Sequence, residues 1–158
     1  AFSGKSLSNK VCTSPKFYSD DFVKLTEKAL GNTVEEFLNT IQLKFDDIVV
    51  NGRSLSLNVT FTENSDFDMD SEVGADLDLL SDLIEDWLTD NAYNSYYHVQ
   101  GITSTKMIID EIRVPLKDEK GRNYRASKFV NAFRKFLSTN GLSSSRDIQG
   151  AKVFITIL

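Results

Sequence analysis

Seven lysines and arginines stand in the stretch "KDEKGRNYRASKFVNAFRKF", Lys117–Phe136, against one Asp and one Glu. Cations at that density suit one kind of chemistry, the neutralisation of phosphates, and a ring set among them can stack on a base. The residues of this stretch expected to make such contacts are Lys117, Lys120, Arg122, Tyr124, Arg125, Lys128, Arg134 and Lys135. A second group is anionic. In "DFDMDSEVGADL", Asp66, Asp68 and Asp70 take the first three ligand positions of a calcium loop, but Ser71 and Leu77 stand where that loop needs a glycine and a bidentate glutamate. The spacing describes a weak surface cation site rather than an EF-hand.

Catalytic motifs are sparse. His98 is the only histidine and Cys12 the only cysteine, so these soft ligands fall short of a zinc set and no internal disulfide can form. "SGKS" at Ser3–Ser6 lacks the first glycine of a phosphate loop, and no nucleophile-elbow motif frames a serine. The expectation is a non-enzymatic protein without a cofactor.

Charge is divided along the chain. Residues 1–99 hold 7 Lys/Arg and 18 Asp/Glu, a net of −11, whereas residues 100–158 hold 11 and 5, a net of +6. Eleven carboxylates fall between Glu63 and Asp90, with no cation from there to Lys106. This asymmetry implies a polyanionic partner for the basic end, or copies that meet acidic side to basic side. Asp78, Asp82, Glu85, Asp86 and Asp90 are the carboxylates expected to make subunit contacts.

The elements that must position these groups follow from periodicity. Residues 1–17 are polar and read as an arm, and residues 18–158 as one globular domain, acidic over 18–99 and basic over 100–158. Ser19 caps a helix over Asp20–Leu30 that Gly31 ends, and Thr33 with Glu36 forms a capping box for a second helix reaching Ile48. Asn51-Gly52 favours a tight hairpin turn, and the alternation of Leu55, Leu57, Val59 and Phe61 marks a strand. Asn58-Val59-Thr60 spells a glycosylation acceptor but reads as strand sequence.

A third helix is expected over Asp76–Asp90, with Leu77, Leu80, Leu83, Ile84, Trp87 and Leu88 on its apolar stripe. In residues 104–116, Ile108, Ile109 and Ile112 fit a short helix, while the β-branched run fits a strand almost as well. A basic helix begins near Tyr124 on the stripe Phe129, Val130, Phe133, Phe136 and Leu137, and "GAKVFITIL" closes as a strand. No apolar run approaches the roughly 18–20 residues that cross a bilayer, and no signal-peptide core precedes the first helix. A soluble, non-secreted protein without a membrane partner is expected.

The order of these elements resembles the coat proteins of rod-shaped plant RNA viruses of the tobacco mosaic type. The likeness rests on "ALGN" at Ala29–Asn32, "VTF…SDF" at Val59–Phe61 and Ser65–Phe67, "LDLL…TDN" at Leu77–Leu80 and Thr89–Asn91, and "TST" at Thr103–Thr105. It implies an α+β, mainly helical fold, a four-helix cluster with a small antiparallel sheet. It further implies helical self-assembly on single-stranded RNA, placing the protein in a virion or the host cytoplasm. In that resemblance Arg113 is an RNA contact, and Arg122 is a structural cation whose acidic partner is Asp86 or Asp90.

Two other readings stay open. In a winged-helix DNA-binding accessory protein, Thr103–Ile112 would be the supporting helix, Ala126–Leu137 the recognition helix and "SSSRDIQGAKVFITIL" the wing. In a phage structural adaptor both charged faces would serve protein contacts only.

Overall fold

The computed structural model describes residues 21–158, so the expected arm, "SGKS", Cys12 and the Ser19 cap lie outside the described residues. The chain divides into two compact units, with the boundary in sequence between Val50 and Asn51.

The described part of the first unit is helical. Helix α1 runs unbroken over Phe22–Asn51, thirty residues, where two helices were expected. The Asp21 carboxylate accepts the Val23 N–H at 3.0 Å and so starts the helix. Gly31 sits inside it, where a Cβ would meet nothing within 4 Å. A solvent-facing glycine costs a helix only about 1 kcal/mol, too little to stop it when residues on both sides favour continuation. Thr33 and Glu36 therefore lie mid-helix and have no helix start to cap. Phe22, Leu38, Leu43 and Val49 are exposed along it.

The second unit is a five-stranded sheet with two helices on one face. Its strands are β1 (Arg53–Phe61), β4 (Tyr97–Thr103), β5 (Lys106–Val114), β6 (Ser144–Gln149) and β7 (Lys152–Ile157), in the order β4-β5-β1-β7-β6. β1 and β7 pair in parallel, with Val59 opposite Ile155, and all other neighbours are antiparallel. A two-residue strand β2 (Glu72–Val73) pairs with β3 (Asp78–Leu79) ahead of helix α2 (Leu80–Asn91), and helix α3 (Ala126–Thr139) follows β5.

The core lies between sheet and helices. β1 contributes Leu55, Leu57 and Val59, β5 Met107, Ile109, Ile112 and Val114, and β7 Val153, Ile155 and Ile157, all buried. Leu80, Ile84 and Leu88 of α2 and Phe129, Val130, Phe133 and Leu137 of α3 close over them. Trp87 joins the two helices, its ring centroid 5.2 Å from Phe129, 5.0 Å from Phe133 and 5.7 Å from Phe136. Each such side chain contributes about 1.5–3 kcal/mol by leaving water.

This architecture overturns the expected mainly helical four-helix cluster with a small hairpin. Within residues 104–116, where helix and strand were both open, Lys106–Val114 form β5 and not a helix. β5 carries a bulge: Leu55 faces Ile112 and Leu57 faces Ile109, so Asp110 and Glu111 together oppose one residue of β1. The core positions of β5 consequently fall at 107, 109, 112 and 114. That three-residue step imitates a helical period.

Asn51-Gly52 makes no hairpin. Gly52 (φ 80°) leads straight from α1 into β1, and a Cβ there would collide with the Val114 carbonyl. The third helix starts at Leu80 rather than Asp76, because Leu77 (φ 58°) turns the chain between β2 and β3. The supporting helix of the winged-helix reading is likewise absent, and its wing is the β6–β7 hairpin at one edge of the sheet. Asn58 lies in β1. Among the described residues no helix is long and apolar enough to cross a membrane.

Candidate functional site

Between β5 and α3 the chain makes a closed excursion. Lys117 and Asn123 bridge its base, and the Tyr124 N–H donates to the Leu116 carbonyl at 2.8 Å. Its tip is a tight turn in which the Gly121 N–H donates to the Asp118 carbonyl at 2.8 Å, and Gly121 supplies the required positive φ of 73°. The guanidinium of Arg53, at the start of β1, donates to the Tyr124 carbonyl and anchors the far end of the excursion.

Asp118 organises this loop. Its Oδ1 accepts the backbone N–H groups of Lys120 and Arg122, each at 3.0 Å. Its Oδ2 accepts Nε and Nη2 of Arg122 at 3.1 and 2.8 Å, and Nζ of Lys128 lies 3.8 Å from the same oxygen. The Arg122 guanidinium, then the Arg122 and Lys120 N–H groups, hold the Asp118 carboxyl below its usual range. Lys128, in the first turn of α3, also places its ammonium 5.1 Å from the Tyr124 ring centre. Burial pushes the Tyr124 phenol up.

These groups line an open pocket of 520 Å³, completed by Tyr93, Pro115, Lys117, Glu119 and Lys120. Four cations and two carboxylates face it, with two tyrosine rings. Such a lining is suited to an anion carried on a flat apolar group.

The structure separates the residues expected to bind nucleic acid. Lys117, Lys120, Arg122, Tyr124 and Lys128 come together at the pocket. Arg125 is exposed just before α3, and Lys135 is exposed further along it. Arg113 and Arg134 are engaged within the protein. Arg113 pairs through Nε with Glu111 at 3.0 Å, donates to the Gly52 carbonyl at 3.2 Å and lies over Tyr96, with its side chain only 16% exposed. Arg134 donates through Nη2 to the Ser144 carbonyl at 2.6 Å, tying α3 to β6. Arg122 forms its ion pair with Asp118 and not with Asp86 or Asp90.

The acidic residues take simpler places. Asp66 and Asp70 are exposed, and Asp68 accepts the Ser71 hydroxyl at 2.6 Å as part of a local turn. Among the described residues no group of three or more His, Cys, Asp or Glu is placed to hold a metal. Asp78, Asp82, Asp86 and Asp90 are exposed and Glu85 partly so, on β3 and the outer side of α2. His98 pairs through Nδ1 with Asp110 at 2.6 Å across the β5 bulge, and this hydrogen bond holds the Asp110 carboxyl low.

Two features of the site escaped sequence reasoning. Tyr93 lies in a 3-10 turn after α2, and nothing in "NAYNS" marks its ring as part of a pocket. The organising role of Asp118 also escaped, although an Asp three residues before Gly is a turn signature that could have pointed to it.

Residues 53–158 match the family described as "Domain of unknown function (DUF6175)". The match begins with the first residue of β1 and takes in the whole sheet, both covering helices and the pocket. No curated protein and no solved structure matches the chain. With about two thirds of its length matched, the chain belongs to the DUF6175 family.

Proposed function

We propose that the sheet unit is a non-enzymatic binding module for single-stranded nucleic acid, gripping the strand by its phosphates without regard to sequence. The observation that supports this is the convergence of Lys117, Lys120, Arg122 and Lys128, from a loop and a helix, on one open pocket that also holds Tyr93 and Tyr124. Cations answer to phosphates, and tyrosine rings answer to unstacked bases, which a duplex does not offer. Exposed Arg125 extends the cationic surface beside the pocket. The helical coat assembly implied by the resemblance called for a four-helix cluster, and the fold is instead a five-stranded sheet under two helices.

Fluorescence anisotropy of a labelled single-stranded RNA, titrated at several salt concentrations, tests the proposal. Three to four phosphate contacts give a log–log slope of about −2 to −3. Replacing Lys117 and Lys120 by alanine should reduce that slope by about 1.4. A flat plot removes the phosphate role.

A further inference from the structure

We infer that the pocket seats one nucleotide unit, its phosphate taking over the two cations that Asp118 Oδ2 now holds and its base lying against the tyrosine rings. This rests on the strand-binding reading and specifies the ligand of the same site.

Arg122 and Lys128 belong to different segments, yet both head groups reach a single anionic oxygen, at 2.8 and 3.8 Å. A phosphate oxygen needs that same disposition, with a guanidinium fork on one side and an ammonium on the other. Arg122 can exchange partners without undoing the loop, because Oδ1 keeps the Lys120 and Arg122 N–H groups and the Gly121 N–H still donates to the Asp118 carbonyl. Lys128 stands over the Tyr124 ring, so its move toward a phosphate uncovers a ring face for a base. Tyr93 and Pro115 supply further apolar wall. The volume of 520 Å³ lies within the range of sites that enclose a small ligand.

The occupant is thus a nucleoside monophosphate unit rather than a bare phosphate or a sugar phosphate. Asp118 competes with it for Arg122, which keeps each grip weak and reversible along a strand.

Calorimetric titration of the full chain with inorganic phosphate, ribose 5-phosphate, adenosine 5′-monophosphate and a single-stranded 10-mer tests the inference. Adenosine 5′-monophosphate should bind at least fivefold tighter than ribose 5-phosphate and should compete with the 10-mer. Tyr124→Leu should close most of that gap, because the lower end of the range for one base–ring stack already corresponds to about fivefold. Asp118→Asn should tighten nucleotide binding several-fold, since an amide oxygen can still hold the turn while the charge over Arg122 is gone. Equal binding of phosphate and nucleotide would overturn the base seat. Salt-dependent 10-mer binding that the mononucleotide does not compete would overturn the inference while leaving strand binding intact. No binding of any ligand would overturn both. Should Asp118→Asn fail to fold, the wild-type titrations decide alone.

Discussion

Asp118 holds Arg122 with both of its oxygens, each for a different purpose: Oδ1 takes the Arg122 backbone N–H at 3.0 Å, and Oδ2 takes the guanidinium at 2.8 Å. Loop shape and loop charge are thereby attached to separate atoms of one carboxylate. Substitutions that respect or destroy the first oxygen should behave differently.

Asp118→Asn keeps an acceptor for the two N–H groups, whereas Asp118→Ala leaves them to solvent. Amide hydrogen exchange at Lys120 and Arg122 should stay slow in the first variant and become fast in the second. Equal protection in both would show that the carboxylate does not shape the turn.

Acidification should loosen the same loop. The Asp118 carboxyl is depressed from its ordinary 3.8, so its folded pKa lies below its unfolded one. Such a group contributes stability in full above the unfolded value, and the contribution is lost as pH falls through the folded value. The melting temperature of wild type should therefore decline more steeply than that of Asp118→Asn once pH drops below 3.8. Parallel curves would contradict this. Asp110, held low by its hydrogen bond to His98, should act with the same sign, and His98→Ala should raise its titration midpoint.

Trp87 is the common neighbour of Phe129, Phe133 and Phe136 across the interface of α2 and α3. Trp87→Ala should cost about 3–5 kcal/mol, read as a lower denaturant midpoint. A loss below 1 kcal/mol would mean that the two helices hold without it.

At Gly52 the backbone is left-handed and the Val114 carbonyl occupies the space of a side chain. Gly52→Ala should destabilise the fold by about 1–3 kcal/mol in thermal or chemical unfolding. Gly31→Ala, in open space within α1, should be neutral or slightly stabilising.

Arg134 and Lys117 look alike in the sequence and should part company in solution. Arg134→Gln removes a hydrogen bond from a charged donor to the Ser144 carbonyl and should cost about 1.5–3 kcal/mol of stability, leaving the salt slope of RNA binding unchanged. Lys117→Ala should do the reverse, lowering the slope with little effect on melting.

Several elements were legible because one period dominated them. Phe129, Val130, Phe133 and Leu137 recur as a helix must, and Leu55, Leu57 and Val59 alternate as a half-buried strand must; the structure buries these residues. β5 was ambiguous for a physical reason. Its bulge at Asp110 and Glu111 inserts one residue into a two-residue period, and a local pattern does not reveal a pairing defect made with a distant strand. β4 went unnoticed because its burial is weak: its alternation is confined to Tyr97–Gln100, and the rest of its side chains are exposed at the sheet edge. At α1, Gly31 and the Thr33–Glu36 pair carried true boundary signals that continuous helix formation overrode. At the site, the basic residues were visible as a cluster, but charge counting could not distinguish Arg134, bonded to Ser144, from Lys120, set in a pocket wall.

Ser56 faces Lys152 in the parallel pairing of β1 with β7, so the middle of the sheet unites segments from opposite ends of the unit. During synthesis β1 gains β5 on one side long before β7 exists to cover the other. That uncovered ladder is a template for strands of other chains, and it stays open until β7 emerges. Crowded, slow translation should therefore favour aggregation, and a partner that masks β1 during that interval should raise the yield of folded protein.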